Sequence, residues 1–504
     1  MGNHHSHKNS KEHKGDKVDG VPHPAPDNIS TTSSKKGISR TPSGTDIQDR
    51  TPSQLIPVEN LAKILLQKSQ EEDAVNGITK GAFARWVFPK YRDFAERLFL
   101  HLHEQARAKT VHLGVIAFKQ QCEKFLSIMD DDTIREAYVY MYAERASEDA
   151  GGKNREIRQS NVRLLLMTCY RIAMDHYSEG PQTCILIHRT LNSIVESCFH
   201  SKQSLSAQYV LHWIEANCPR ILLPLHRFAV HSLTTAYRVL EVDEAPYGLE
   251  LATPVLDKAP LFSQGSSKGD RLMPVSQAWL LASALNPLYS RPQSIPNNGS
   301  SAFLSSHAFL AKLLCTVPSH WILLYNSDLH GQGTNRFLHH VLGYRGPTLT
   351  ILRAEEGNVY CIACPCEWRE THLYWGTEEC AIFQLLPKFL LIEKGPKMLF
   401  LNTTVRGYPK GLRAGKDPRK PIISIHEGFD KIDFKGIPYN LLEIEVWGCG
   451  DQALREKQLD IKNWQVKEAE RQRQVKLSAA DWLDHPDRYL LQLAGRPNYS
   501  DKQS

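Results

Sequence analysis

The spacing of apolar residues changes character four times along the 504-residue chain. Residues 1–54 carry few large apolar side chains and are rich in His, Lys, Ser, Thr, Gly and Pro. Such a segment buries too little surface to offset the entropy of ordering, so it is expected to be disordered. Residues 55–240 repeat apolar positions at helical spacing: Leu61, Ile64 and Leu65, then Phe94, Leu98 and Leu102, then Val162, Leu165, Leu166 and Cys169. That period predicts amphipathic helices joined by loops, an all-α domain. Residues 241–271 turn polar, with Pro246, Pro254, Pro260, Gly265 and Gly269, and are expected to be a connector.

From residue 272 the pattern predicts a helix over 273–285, with Ser276 as its N-cap, and then short apolar runs separated by Gly and Pro turns. The runs predict strands at 320–325, 347–352, 359–366, 379–385, 389–392, 400–402, 422–426 and 442–447. Many short strands of this kind imply an antiparallel β-sandwich, so residues 272–450 form the β part of an α+β chain. Residues 451–504 are a charged extension. It is expected to hold a solvated helix over 454–477, an N-cap at Ser478, and a restart at Pro486 that ends at Gly495. Trp482, Leu483, Tyr489, Leu490 and Leu493 would give this end an apolar face that must pack on something, either the protein's own domains or a partner's groove.

The formal charge of +6 is small for this length and makes no case for nucleic acid. No apolar run is long enough to span a bilayer. Eleven scattered cysteines suggest no disulfide framework and fit a reducing cytosol. Gly2 and Ser6 fit the N-myristoylation pattern, with Lys8, Lys11, Lys14 and Lys17 behind them. One acyl chain holds a protein only marginally, so a second membrane contact is implied.

Helix, loop, helix, repeated, resembles a pair of EF-hands with loops at 104–110 and 146–158. Calcium needs several oxygen ligands and a glutamate at the twelfth loop position, which these loops lack. The helical domain is therefore expected to be degenerate, with no metal and no cofactor. Ser327, Asp328, His330 and Glu445 can be combined on paper into an acid–base set, but no activating motif surrounds Ser327. Cys361, Cys364, Cys366 and Cys380 invite a zinc or redox reading. Along one strand Cys361 points away from Cys364 and Cys366, so a tetrahedral site cannot close there.

The stretch Trp321-Ile322-Leu323-Leu324-Tyr325-Asn326-Ser327, followed by His330-Gly331, resembles the opening of the TLDc domain. Gly346–Leu352, Val359–Trp368 and Glu443–Gly448 are similar, in order, to that family's second, third and closing strands. The motif residues are Trp321, Tyr325, Asn326, Ser327, His330, Gly331, Trp368, Glu445 and Trp447. Two stretches depart from the family: Tyr360-Cys361 stands where Phe-Gly is usual, and the basic loop Arg413–Lys420 replaces a glycine-rich one. The whole arrangement resembles one subtype, the lysosome-associated, mTOR-linked TLDc proteins. The resemblance implies a monomeric, non-enzymatic regulator, cytoplasmic and peripheral on lysosomal or endosomal membranes. It would bind peripheral-sector subunits of the vacuolar proton pump, the V-ATPase. The alternative it implies is an oxidative-stress protection factor with a redox-active or catalytic TLDc site.

Overall fold

The computed structural model describes residues 56–145, 155–174, 186–240, 272–290, 320–473 and 486–495. Gly2, Trp482 and Leu483 lie outside the described residues, as do the connector and the N-terminal arm.

The helical region forms two pairs of helix–loop–helix units. Helices α1 (Ile56–Asp73), α2 (Lys80–Val87), α3 (Arg92–Gln105) and α4 (Val115–Leu126) make the first pair. Its loops meet at Ile78 and Leu113, whose backbones exchange hydrogen bonds of 2.8 and 3.0 Å. Helices α5 (Asp131–Tyr142), α6 (Gln159–Met174), α7 (Ile187–Phe199) and α8 (Ala207–Asn217) make the second. There strand β1 (Glu144–Arg145) pairs with β2 (Arg155–Arg158), and β2 pairs with β3 (Ser204–Ser206), placing Ile157 opposite Leu205. The two loops expected to be partners therefore belong to different pairs. Sequence reading alone does not find the first and fourth loops: the first opens with Glu71, Glu72 and Asp73 but ends without a carboxylate, and the fourth, around Leu205, has no acid at all. Where Ile78, Leu113, Ile157 and Leu205 take the eighth position, the twelfth falls on Ala82, Ala117, Asn161 and Tyr209, none of them a carboxylate. Asp130 caps α5 by accepting from the Thr133 amide at 2.9 Å, so the acid triplet at 130–132 serves a helix start.

Helix α9 (Leu223–Leu240) packs against α1 and α6, and α10 (Val275–Ala284) against α6 and α7. Trp279 of α10 is buried and meets Tyr170 of α6 edge to face at 5.5 Å. Such a pair contributes on the order of 1 kcal/mol beyond its burial. The N-cap of α10 is Pro274, not Ser276. Ser276 is buried inside the helix, 2.8 Å from the Thr190 hydroxyl of α7, where it ties the two helices together. A short α11 (Pro287–Ser290) follows.

Among the described residues the β region has eleven strands, all antiparallel: β4 (Ile322–Asn326), β5 (Thr348–Ala354), β6 (Val359–Cys364), β7 (Thr371–Trp375), β8 (Ala381–Leu386), β9 (Leu390–Lys394), β10 (Leu399–Asn402), β11 (Gly411–Ala414), β12 (Ile423–Ile425), β13 (Lys431–Phe434) and β14 (Ile437–Gly448). Their order is β7-β10-β11-β12-β13-β14-β5-β6-β8-β9, with β4 on the far end of β14. Strand β14 belongs to both halves. Residues 437–440 pair with β13, and residues 441–448 pair with β5.

Alternation sorts the two faces of the β5-β6-β8-β14 sheet. Leu352, Tyr360, Ile362, Ile382, Ile444 and Val446 face a core shared with Leu401, Leu412, Ile425 and Ile432 of the other half. Leu349, Ile351, Cys361, Ala363, Phe383 and Trp447 face the helices and join their core. Two backbone amides donate across this second junction, Phe389 N to the Ser193 carbonyl and Leu391 N to the Asn217 side-chain oxygen, both at 3.0 Å. The helices thus cover one sheet face and share a continuous apolar cluster with it.

Candidate functional site

Strand β4 enters with Trp321, whose indole donates to the Tyr289 carbonyl at 2.7 Å. It leaves through the four-residue helix α12 (Ser327–His330). Asn326 holds this turn. Its side-chain oxygen accepts from the amides of Asp328 (2.8 Å) and Leu329 (3.0 Å), and its side-chain nitrogen donates to Glu445 at 3.1 Å. Ser327 accepts from the Ile444 amide at 3.0 Å. His330 accepts at Nδ1 from the Asn326 amide at 3.1 Å, so the other ring nitrogen carries the proton of a neutral imidazole. Tyr325 donates to the carbonyl of Gly331, whose φ of 83° is the left-handed turn that glycine tolerates best.

Glu445 is the hub. Fully buried on β14, its carboxylate accepts from the amides of Leu272 (3.1 Å) and Met273 (3.2 Å), from Asn326, and from the Trp447 indole at 3.0 Å. Four donors satisfy a charge that would otherwise be expensive to bury. They also fasten two distant stretches of chain, at 272–273 and at 326, to β14. Trp368 is tied separately, by its indole, to the Thr348 hydroxyl at 2.8 Å.

The acid–base set considered from the sequence is not assembled. The described hydrogen bonds of Ser327, His330 and Glu445 go to Ile444, Asn326 and the four donors above, not to one another. His330 instead stacks on His340, with ring centroids 3.9 Å apart. Burial and the neighbouring His330 and Lys462 push His340 down to about 4.

Two functional candidates carried no sequence signal. Glu443, two residues before the hub on the same face of β14, is buried beside the Arg353 guanidinium at 2.5 Å. Burial raises its carboxyl to about 7 despite that partner, with Asp328 and Glu445 adding like charge. Desolvation prevails because Arg353 is half exposed and its field is largely screened by water. The other is Gln458, a buried polar residue in a charged helix.

Helix α13 (Thr334–Val341) follows the His-Gly turn, and α14 (Gln452–Arg473) begins the C-terminal extension. Gln458 of α14 donates to the carbonyls of His340 and Leu342, both at 3.0 Å, at the end of α13. Tyr344 accepts from the Gly450 amide at 2.8 Å. The root of α14 is therefore docked, while further along Trp464 is 64% exposed. Helix α15 (Pro486–Leu493) restarts at Pro486 as its sequence predicts and leads to Gly495, at φ 67°. Tyr489, Leu490 and Leu493 are 60%, 62% and 84% exposed, so this apolar face lies open. The basic stretch 413–420 is not one loop: Arg413 belongs to β11, and the turn begins at Gly415.

Among the described residues no three His, Cys, Asp or Glu side chains converge as a metal site would require, and no helix is long and apolar enough to cross a membrane.

Comparison with known proteins matches residues 299–450 to the TLDc domain. The chain is 25% identical to mouse MTOR-associated protein MEAK7 over 203 residues, which is 34% of this chain and 43% of that protein. The human protein of that name is 23% identical over 185 residues, 33% of this chain and 40% of its own length. Restriction of telomere capping protein 5 of Lachancea thermotolerans is 25% identical over 361 residues, covering 62% and 60% of the two chains. The aligned parts span under half of the mouse and human relatives. The strands and turn built around Glu445 lie where that domain is matched, and residues 299–450 of this chain are a TLDc domain.

Proposed function

We propose that this chain is a non-enzymatic regulator that docks on peripheral-sector subunits of the V-ATPase at lysosomal membranes and influences mTOR signalling. The observation that carries the reading is the C-terminal arm. Helix α14 is anchored at its root by Gln458, and α15 presents Tyr489, Leu490 and Leu493 to solvent. A short apolar helix held outside its own domain is a foothold awaiting a groove. Tethering it beside a broad sandwich surface lets two weak contacts act together. The polar turn at 326–333 supplies the centre of that second surface. Acylation at Gly2 supplies the membrane contact. The resemblance to TLDc proteins of the mTOR-linked subtype supplies the partner.

The test uses Trp482→Ala with Leu490→Ala, and separately a chain ending after Arg473, which keeps the docked root of α14. Loss of an aromatic anchor typically costs on the order of 2 kcal/mol, a tenfold or greater loss of affinity. Purified V-ATPase peripheral sector should bind both variants at least tenfold more weakly, with melting temperature unchanged. A lowered melting temperature with unchanged affinity per folded molecule would overturn the proposal.

A further inference from the structure

Nine cysteines fall among the described residues, and all are free. Eight are buried, leaving Cys366 as the partly exposed one. It stands just beyond the end of β6, in a bend that follows Pro365. Cys364, the last residue of β6, is fully buried, and its thiol donates to the Cys366 carbonyl at 3.0 Å. The bend folds the Cys366 backbone back over the Cys364 sulfur, so the two cysteines, two positions apart, stand at one end of the sheet with their residues in contact. Cys361 faces the helices on the other side of the sheet and takes no part. Cys380 packs in the same core as Cys364, next to Ala381, whose cross-strand partner is Ala363.

We propose that Cys364-Pro365-Cys366 is a peroxide-responsive dithiol, with Cys366 the attacking thiol and Cys364 the resolving one. The chemistry fits the placement. A thiolate is the nucleophile, and exposure decides which thiol is reached. Hydrogen bonding from Cys364 and the charge of Arg369 lower Cys366 to about 7, whereas burial raises Cys364 well above its ordinary range. The Cys366 thiolate attacks one oxygen of hydrogen peroxide. The O–O bond breaks, hydroxide leaves and takes up a proton as water, and Cys366 becomes a sulfenic acid. The Cys364 sulfur then attacks the Cys366 sulfur and loses its proton. The S–O bond breaks, a second water leaves, and a disulfide joins the two residues. In sum, two thiols and one peroxide give one disulfide and two waters. The bond fastens the bend to the end of β6, two residues before the buried Trp368. The inference is independent of pump docking.

The experiment treats the full chain, carrying Cys184→Ser and Cys315→Ser to remove the two cysteines outside the described residues, with a small excess of hydrogen peroxide. Peptides are then mapped without reduction. The expected result is a mass loss of about 2 Da confined to a Cys364–Cys366 peptide. Cys364→Ser should stop the reaction at a sulfenic acid on Cys366 that dimedone traps. Cys366→Ser should slow the first thiol's loss at least tenfold. A Cys366–Cys380 link, an untrapped sulfenic acid persisting on Cys366 in the parent, or faster oxidation of any buried cysteine would each overturn the proposal. Mapping the parent protein decides the matter even where a variant fails to fold.

Discussion

The side chains of Asn326 and Glu445 meet at 3.1 Å in a place sealed from solvent, though they stand 119 positions apart in sequence. Asn326 caps the turn after β4 with its oxygen and holds the carboxylate of β14 with its nitrogen. Glu445→Ala strands four buried donors at once. Each unsatisfied buried group costs about 1–3 kcal/mol, so the loss is on the order of 3 kcal/mol or more. Thermal unfolding should show a drop of several degrees. Glu445→Gln should fall between, because it keeps one acceptor oxygen but turns an amide toward donors. A Glu445→Ala protein that melts with the parent would refute the hub.

Gln458→Ala should loosen the C-terminal arm without harming the sandwich. The carbonyls of His340 and Leu342 lose a donor, and α14 loses its buried polar root. A cost of about 1–2 kcal/mol is expected, confined to the docking of α14. Hydrogen exchange should speed up over 452–463 and stay slow in β5, β6 and β14. Uniform acceleration across the sheet would mean that Gln458 supports the whole fold.

Glu443 makes a pH prediction of unusual sign. Its carboxyl is raised to about 7 in the folded chain, above the ordinary value of 4.5 that it regains on unfolding. Between those values the folded state binds the extra proton, so this group's contribution falls as pH rises from about 4.5 to about 7. Its stabilisation is complete below that window and gone above it. Glu443→Gln, neutral at every pH, should flatten the melting profile across the window and raise the melting temperature at pH 7.5 relative to the parent. An unchanged profile would show that Arg353 keeps the carboxylate ionised throughout.

Gly2→Ala removes the glycine that the Gly2…Ser6 pattern marks for N-myristoylation. The variant should move from the membrane fraction to the cytosolic one, because a single chain gives only marginal attachment. An unmoved variant, or an intact mass of the parent without the acyl group, would remove lipidation from the account.

The sequence made the long apolar runs legible and hid the short strands. Strand β7, Thr371–Trp375, has mixed polarity on both faces because, among the described strands, it is a sheet edge that pairs with β10 alone. Strand β11 holds just Gly411–Ala414 and carries Arg413, so its charge masked it. Strand β13, Lys431–Phe434, alternates Lys and Asp with Ile and Phe over a span too short to register a period. Helix α13 shows only Phe337, Leu338 and Val341 as apolar signal, and it went unseen for the same reason. Within the site, the resemblance located Asn326, Ser327, His330 and Glu445, but not what they bind. That Glu445 receives the amides of Leu272 and Met273 is set by tertiary folding, which no local pattern encodes. Gln458 is one glutamine among many in a charged helix, and only burial singles it out.

Strand β14 also sets the order in which the chain can mature. It is the last of the described strands to be synthesised, yet it is the one that joins β13 to β5 and receives β4. Until Gly448 has been synthesised, the sheet has a gap at its middle and two bare edges facing it. Such edges are templates for mispairing with other chains. On synthesis the chain therefore passes through a window in which the other described strands exist but β14 has not yet joined the two halves, and the edges of β5 and β13 are what a chaperone would have to shield in that window.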